Sequence, residues 1–258
     1  MLKFIDTHAH LEDPIYDGQI EKVRSNYLSD GIFAVINVAC SKETTSQVYK
    51  RAKNFEEVYF SIGCHPQTAS QVDESFIKYI NQFSSDKKCL AVGEIGLDYY
   101  YKPFDREVQI KAFERQIEYA ISVNLPIIVH TRNATKDTVD IIKSYSKNLD
   151  GKFLMHCYAE SKEITKILLD AGGYFAYGGA STFKNYKKHD VIKYIPLDRI
   201  MCETDCPYMT PEPHRGKVNE PCNVKYVYEQ MAKVKEIDLE TLAKSVEENF
   251  KRLFTKYN

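Results

Sequence analysis

Two histidines separated by a single residue follow the first apolar run of the sequence, Phe4-Ile5-Asp6-Thr7-His8-Ala9-His10. On a β-strand, residues i and i+2 point to the same face, so the imidazoles of His8 and His10 would approach one point. Neutral imidazole is a common ligand of zinc and other divalent metals. Taken alone, the pair indicates either one part of a metal site or two polar histidines at the protein surface.

Further metal-ligating or charged side chains stand where later strand-like runs end. They are His65, Glu94, Asp98, His130, Arg132, His156, Glu203 and Asp205. With the first pair, five of the seven histidines lie at strand ends, which random scatter would seldom produce. Several of these residues are separated by two positions along the chain, so a strand would direct both of their side chains to the same face and the same site. The pattern therefore predicts one polar site assembled from strand ends.

Eight short β-rich runs alternate with amphipathic segments along the chain. The strands are predicted at residues 3–6, 33–39, 58–63, 89–94, 126–130, 152–156, 173–177 and 199–205. The first helix, residues 14–30, has Asp13 as its candidate N-cap, Pro14 at its first helical position and Gly31 just past its end. Further helices are predicted from residue 106 and at residues 161–171, 224–235 and 239–257.

Strands that alternate with helices indicate parallel β-α-β units. Length, even spacing and the absence of a linker favour an α/β fold with a single closed (β/α)8 TIM-like barrel over residues 1–258, and an open doubly wound sheet is the alternative. No Gly-x-Gly-x-x-Gly or P-loop motif supports a nucleotide cofactor. In a β/α barrel the site forms at the carboxyl ends of the strands, where the polar residues fall.

Composition excludes several classes of function. The 35 basic and 36 acidic residues nearly cancel, which argues against a polycation that coats nucleic acid or membranes, although not against a nuclease that contacts a few phosphates. The chain lacks a signal-peptide block and a charge-free apolar run, so we expect a cytoplasmic protein without membrane spans. The seven cysteines show no Cys-x-x-Cys spacing and are expected to be reduced packing residues.

The number of candidate ligands indicates the kind of metal centre. Four histidines and two carboxylates exceed the three protein ligands of a typical catalytic zinc. Six ligands suit two ions bridged by a carboxylate, the usual arrangement for phosphoester hydrolysis. The sequence therefore predicts a two-metal hydrolase, in which nitrogen-rich ligation suits zinc and the carboxylates also admit manganese or magnesium.

Seven motifs follow one another in a fixed order and span nearly the whole chain. They are Asp6-Thr7-His8-Ala9-His10, Gly63-Cys64-His65-Pro66, Gly93-Glu94-Ile95-Gly96-Leu97-Asp98-Tyr99, His130-Thr131-Arg132, Met155-His156-Cys157-Tyr158, Glu203-Thr204-Asp205-Cys206-Pro207-Tyr208 and Pro213-His214-Arg215-Gly216-Lys217-Val218-Asn219-Glu220-Pro221. This set resembles the TatD family of metal-dependent deoxyribonucleases. The resemblance implies a barrel related to the amidohydrolases, two divalent metals and hydrolysis of DNA phosphodiester bonds, leaning towards 3′ exonuclease action on single-stranded DNA. Cys206 departs from the pattern, because many relatives have Ser or Ala there.

The resemblance also implies how the ligands divide between the metals. His8, His10 and Asp205 would hold one metal, His130 and His156 would hold the other, and Glu94 would bridge them. Asp205 is expected to accept a proton from the attacking water as well, with a purely structural ligand as the alternative. Glu203 shares the face of Asp205 and is expected to tune the site from behind the ligands, with direct ligation as the alternative.

Four more side chains are candidates for contact with the substrate or the ligands. His65 could bind the scissile phosphate, act near the leaving group, or only fix the loop that follows it. Arg132 and Arg215 suit phosphate binding because a guanidinium fork matches phosphate oxygens, and structural ion pairs are the alternative. Asp98 is expected to orient a ligand or a neighbouring arginine.

Two segments, residues 99–102 and 183–188, combine aromatic rings with cations. They could stack bases and contact phosphates, or they could be ordinary packing and solvated lysines. We expect single-stranded DNA as the substrate and neither a membrane nor an obligate protein partner. The alternatives are a metal-dependent ester or amide hydrolase, such as an aminoacyl-tRNA deacylase, and a non-catalytic metal-dependent binding protein.

Overall fold

The computed structural model describes residues 2–257 and contains eight parallel strands that pair in chain order. The strands are β1 (Phe4–Ala9), β2 (Ile32–Asn37), β3 (Val58–Ile62), β4 (Cys89–Asp98), β5 (Ile127–Arg132), β6 (Phe153–Met155), β7 (Tyr174–Tyr177) and β8 (Ile200–Cys202). Because the strand order is sequential and does not reverse, the sheet curls into a nearly closed barrel. The predicted barrel is confirmed, and the open doubly wound alternative is excluded.

Helices follow the strands and cover the outside of the sheet. They are α1 (Ile20–Ser29), α2 (Lys42–Asn54), α3 (Glu74–Ser84), α4 (Arg106–Ser122), α5 (Thr135–Leu149), α6 (Lys162–Asp170), α7 (His189–Tyr194), α8 (Val224–Lys235) and α9 (Leu239–Leu253). In α9, Leu242, Val246 and Phe250 are fully buried, as a four-residue spacing along one helical face requires. Between residues 2 and 257, no helix has the length and apolar character needed to cross a membrane.

Several predicted boundaries differ from the structure. The last strand, predicted over residues 199–205, ends at Cys202, so Glu203 and Asp205 follow it rather than belong to it. The segment predicted as one helix over residues 14–30 divides into a 3-10 turn at Pro14–Tyr16 and α1, because Gly18 between them has a positive φ of 70°. Asp13 caps the 3-10 turn rather than α1. β4 continues to Asp98, four residues past the predicted end. The final helix ends at Leu253, ahead of a short 3-10 turn.

The barrel closes between its first and last strands through only a few contacts. We call this junction between β1 and the β8 region the seam. Ala9 and Cys206 form an isolated parallel bridge, and the backbone N–H of Asp205 donates to the carbonyl oxygen of His8 at 2.9 Å. Deeper in the barrel, the hydroxyl of Thr7 donates to the carbonyl oxygen of Cys202 at 3.1 Å. The seam is therefore held mainly at the carboxyl end of the strands.

Candidate metal centre

A cavity of about 1330 Å³ opens where the strands finish. This is the end at which β/α barrels form their sites. The predicted strand-end residues that line it are His10, His65, Glu94, Asp98, His130, Arg132, His156 and Asp205. The structure therefore brings most of the predicted site residues together at one mouth.

The first donor group consists of His8, His10, Glu94 and Asp205. The Nε2 atoms of His8 and His10 lie 3.3 Å apart. Nε2 of His8 is 3.4 Å from Oε2 of Glu94, and Nε2 of His10 is 3.5 Å from Oδ1 of Asp205. Donors bound tetrahedrally to zinc at its usual bond lengths stand about 3.4 Å apart. The spacing of these four side chains therefore fits a divalent metal ion.

The second donor group consists of Glu94, His130 and His156. Oε1 of Glu94 lies 2.8 Å from Nδ1 of His130 and 3.8 Å from Nε2 of His156. The other oxygen, Oε2, faces His8. The two oxygens of Glu94 thus face different imidazoles, as a carboxylate that bridges two ions would.

The other ring nitrogen of three histidines lies against a fixed acceptor. Nδ1 of His10 is 3.2 Å from a backbone carbonyl oxygen, and Nε2 of His130 is 3.2 Å from Oδ2 of Asp98. Nδ1 of His156 is 3.0 Å from Oε2 of Glu203, an ionic contact rather than a well-aligned hydrogen bond. Acceptors of this kind hold metal-ligating imidazoles in one tautomer and orientation. The residues present therefore fit divalent metal ligation.

The two carboxylates of the donor groups are held in their ionised form. Burial alone would raise the pKa of Glu94, but the imidazoles of His156 and His8 outweigh burial and hold that pKa well below its ordinary value. For Asp205, a hydrogen bond from His10 and the charge of His156 likewise outweigh burial and lower the pKa. Metals bind the ionised form of a carboxyl group.

Asp6 lies behind the first donor group and accepts hydrogen bonds across the seam. Its Oδ1 accepts hydrogen bonds from the backbone N–H groups of Thr204 at 2.9 Å and His8 at 3.2 Å. Its Oδ2 accepts a hydrogen bond from the Thr204 hydroxyl at 2.5 Å. Burial outweighs these hydrogen bonds and raises the pKa of Asp6 to about 7. Asp6 thus links β1, which carries His8, to the segment that carries Asp205.

Gly96 allows β4 to approach β5 beside the second donor group. Its φ is 143°, and a Cβ atom there would lie 2.0 Å from the carbonyl oxygen of His130. Only glycine fits this position without moving one of the two strands. The close approach places His130 next to Glu94.

His65 offers a hydrogen-bond donor to the cavity. Its Nδ1 accepts a hydrogen bond from the backbone N–H of Gln67 at 3.2 Å, and its Nε2 lies 3.9 Å from Oε1 of Glu94. Burial lowers the pKa of His65 to about 4. The ring is therefore neutral near pH 7, and its proton resides on Nε2 because Nδ1 is an acceptor.

Arg132 lines the cavity, together with part of the predicted segment 99–102. Its guanidinium stacks 3.8 Å from the ring centroid of Tyr100, and Nη1 donates to the hydroxyl of Tyr101 at 3.1 Å. Asp98 accepts hydrogen bonds from the backbone N–H groups of both tyrosines. These contacts present the guanidinium to the cavity beside His130.

Three predicted site residues do not line the cavity: His8, which is fully buried within the first donor group, Glu203 and Arg215. Glu203 is fully buried, and its Oε1 accepts a hydrogen bond from the backbone N–H of Cys157 at 2.6 Å, so it reaches the site only through His156. Arg215 is exposed and stacks 4.2 Å from the ring centroid of Phe183, in the second predicted aromatic segment. The roles of Glu203 in catalysis and of Arg215 in phosphate binding stay predictions.

Several residues to which the sequence analysis gave no role in the site also line the cavity. They are Glu12, Cys40, Phe104, Tyr208 and Met209, among others. The thiol of Cys40 lies 3.9 Å from Nδ1 of His10 and 3.9 Å from Oε2 of Glu94. Cys40 follows β2 closely, as the predicted site residues follow their strands, and this position could have identified it as a cavity residue. The prediction that all seven cysteines are packing residues left it out.

Comparison with known proteins gives a consistent family. A family model described as TatD related DNase matches residues 5–255. The uncharacterized metal-dependent hydrolase YabD of Bacillus subtilis is 40% identical over 250 residues, which cover 96% of this chain and 98% of YabD. YcfH of Escherichia coli, also an uncharacterized metal-dependent hydrolase, is 35% identical and is matched over 97% of this chain and 95% of its own length.

Solved structures agree with the sequence comparison. YjjV, a TatD homolog from Escherichia coli, superposes with a TM-score of 0.92 at 26% identity over 98% of each chain. A mutated organophosphorus hydrolase from Deinococcus radiodurans superposes with a TM-score of 0.66 at 11% identity, over 98% of this chain and 93% of its own. The second likeness concerns the barrel fold alone.

Proposed function

The chain belongs to the family of TatD-related DNases, and from this premise we propose that it hydrolyses phosphodiester bonds of single-stranded DNA with two divalent metal ions. That it is a metal-dependent hydrolase follows from the family itself. The observation that carries the finer proposal is Glu94, whose two oxygens face two separate sets of imidazoles. Paired ions suit phosphoester hydrolysis because they stabilise both the attacking and the leaving oxygens.

The two donor groups divide the metal ligands between them. His8, His10 and Asp205 would hold one ion, His130 and His156 would hold the other, and Glu94 would contribute a carboxylate oxygen to each. When bound, the ions supply Lewis-acid chemistry: they stabilise charge on phosphoryl oxygens and make a nearby water more acidic. Zinc suits the imidazoles, and manganese or magnesium suit the carboxylates and the phosphate chemistry.

Asp205 is the general base of the proposed reaction. Its side chain is 15% exposed, whereas that of Glu94 is only 4% exposed, so Asp205 has the better access to a water in the cavity. The surrounding imidazoles keep it ionised and therefore able to accept a proton. Glu203 holds the imidazole of His156 in place from behind.

His65 and Arg132 bind the phosphodiester. The Nε2–H of His65 points into the cavity beside Glu94 and can donate to a phosphoryl oxygen or to the leaving oxygen. The guanidinium of Arg132 offers a planar pair of donors that matches two phosphate oxygens. Both side chains lie next to His130, so they act at the second donor group.

Exposed aromatic rings around the cavity support a single-stranded substrate. Tyr101, Phe104 and Tyr208 line the cavity and are 50%, 36% and 55% exposed. Any base can stack on such rings, but a base paired within a duplex does not present its faces to them. Unpaired strands therefore fit this mouth better than duplex DNA.

The proposal is tested by an activity panel on protein reconstituted separately with zinc, manganese and magnesium. The substrates are single-stranded DNA, duplex DNA, an aminoacyl-tRNA and a simple carboxylic ester. We expect cleavage of single-stranded DNA, loss of that cleavage in Glu94→Gln, and a decrease of about 100-fold or more in Asp205→Asn because both a metal ligand and the general base are removed. Glu229→Gln, on the exposed face of α8, is the matched control and should retain full activity.

Two results would contradict the proposal. Hydrolysis of the ester or the aminoacyl-tRNA, with DNA untouched under every metal, would assign the site to carboxylic ester chemistry. Binding of less than one equivalent of metal at saturation would refute the dinuclear centre.

A further inference from the structure

Helix α4 carries two buried glutamines on the side that packs against the barrel. Gln109 is 5% exposed and Gln116 is 1% exposed. They are separated by about two helical turns, so both side chains leave the helix in the same direction. Burial of an amide is costly unless its oxygen and its nitrogen both find hydrogen-bond partners. These two amides find their partners at two neighbouring strand ends of the site.

Gln116 pairs with both backbone groups of Cys64, which follows β3. Its Oε1 accepts a hydrogen bond from the N–H of Cys64 at 2.8 Å, and its Nε2 donates to the carbonyl oxygen of Cys64 at 3.1 Å. The same nitrogen donates to the carbonyl oxygen of Ala112, within α4, at 3.2 Å. The amide therefore fixes to the helix the residue that immediately precedes His65.

Gln109 pairs in the same way with Asp98, the last residue of β4. Its Oε1 accepts a hydrogen bond from the N–H of Asp98 at 2.8 Å, and its Nε2 donates to the carbonyl oxygen of Asp98 at 2.9 Å. The carboxylate of Asp98 accepts hydrogen bonds from the N–H groups of Tyr100 and Tyr101. Both tyrosines contact the guanidinium of Arg132. Gln109 is therefore connected to Arg132 through this strand end.

The two strand ends need these partners because the pairing of β3 with β4 stops before them. The last pair of that ladder is Ile62 with Val92, whereas β4 runs on to Asp98 beside β5. An unpaired strand edge presents N–H and C=O groups that must find other partners when they are buried. A glutamine amide offers one acceptor and one donor, as a neighbouring strand does. The glutamines of α4 thus take the place of strand partners at the mouth of the barrel.

We propose that Gln116 and Gln109 are positioning residues for the substrate contacts: Gln116 acts on the reaction through His65, and Gln109 acts through Arg132. The inference rests on the proposed function, in which these two side chains bind the phosphodiester. It assigns the geometry of those contacts to a helix on the outside of the barrel.

Double-mutant cycles test the inference. One cycle measures kcat/KM for single-stranded DNA in Gln116→Met, His65→Ala and the double variant. The second cycle uses Gln109→Met and Arg132→Ala. Each glutamine variant should lower kcat/KM by about tenfold or more, because a displacement of about 1 Å can lower the rate about 100-fold. When the positioned side chain is already absent, the same glutamine change should lower kcat/KM by about threefold or less.

Asn249 supplies the matched control, because it is another buried amide that joins a helix to a strand. Its Nδ2 donates to the carbonyl oxygens of Leu197 and Ile200 at 2.9 Å each, where β8 begins and away from the site. Asn249→Leu should lower Tm and keep the parent kcat/KM at a temperature where all variants are folded. The metal content should stay at the parent value in every variant. If Gln116→Met does not fold, Gln116→Glu replaces it and keeps the acceptor for the N–H of Cys64.

Three outcomes would overturn the inference. Equal losses with and without the positioned side chain would show that the glutamine only stabilises the fold or contacts the substrate itself. Loss of metal together with activity would show that it acts through the metal ligands. An unchanged kcat/KM in His65→Ala or Arg132→Ala would leave α4 no substrate contact to position. If the parent protein cleaves no DNA, the proposed function fails and this inference falls with it, a result distinct from additive cycles in an active enzyme.

Discussion

The contacts of single side chains decide which residues can act at the metal centre. The sequence predicted that Glu203 shares a strand face with Asp205, but β8 ends at Cys202, and Glu203 is fully buried and lies against Nδ1 of His156. Buried acceptors behind a ligating imidazole raise its basicity and fix its orientation. We therefore expect Glu203 to act on metal binding rather than on the substrate.

Replacement of this carboxylate tests that role. We expect Glu203→Gln to weaken metal binding by about 10- to 100-fold, because the amide is a poorer partner for the imidazole. Metal titration followed by fluorescence or calorimetry measures the effect, and excess metal should restore most of kcat. Unchanged metal affinity with a lower kcat would show instead that Glu203 takes part directly in the reaction, and Glu229→Gln is the control.

For single residues, the sequence predicts well which side chains supply metal-ligating atoms, but it predicts poorly what surrounds those side chains. The sequence correctly indicated that the imidazoles of His8 and His10 approach each other, because residues i and i+2 of any β-strand point to the same face. The same reasoning could not show that Arg215 packs on Phe183 outside the cavity, since loop geometry has no such period. It also could not show that one oxygen of Glu12 lacks a partner.

The distance between neighbouring strands determines how closely the metal-ligating side chains of the site approach each other. β4 and β5 carry Glu94 and His130, and their close approach depends on Gly96. Larger separation would move the imidazole away from the bridging carboxylate.

Two glycine substitutions separate this steric effect from backbone strain. Gly96→Ala places a Cβ atom 2.0 Å from a carbonyl oxygen, so we expect a loss of about 3 kcal/mol in unfolding free energy and loss of metal binding. Gly18→Ala also requires a positive φ but meets no atom within 4 Å, and we expect a loss of about 1 kcal/mol with normal metal binding. Urea unfolding and metal analysis measure both, and equal behaviour of the two variants would contradict the explanation.

The order of the helices and strands could be predicted from the sequence, but the residues at which they begin and end were predicted less accurately. The bounds of α8 agree with the predicted residues 224–235, because its apolar face and its flanking segments are distinct. The first helix was predicted too long, because Asp13 and Pro14 are typical of a helix start but here begin a separate 3-10 turn that ends before Gly18.

At the scale of the whole molecule, the first donor group spans the seam. His8 and His10 belong to β1, and Asp205 follows β8. Apart from these side chains, the seam is held by the Ala9–Cys206 bridge and a few hydrogen bonds, including those of Asp6. A metal bound by this group would link the two edges of the sheet.

Metal removal should therefore destabilise the barrel at the seam first. At a free metal concentration about 100 times the dissociation constant, bound metal contributes about 2.7 kcal/mol. For a chain of this size we expect chelation to lower Tm by about 5–10 °C. Hydrogen exchange should accelerate in β1 and in residues 203–206 before it does in β4 and β5. Equal acceleration around the whole barrel would contradict a seam held by metal.

The position of the seam also has a consequence for biosynthesis. The ribosome makes His8 and His10 near the start of the chain and Asp205 close to its end, so the first donor group cannot form until most of the protein has been translated. A product that terminates before Ile200 lacks both β8 and Asp205, the proposed base. Such a product cannot form the first donor group, so we expect it to lack the hydrolytic activity.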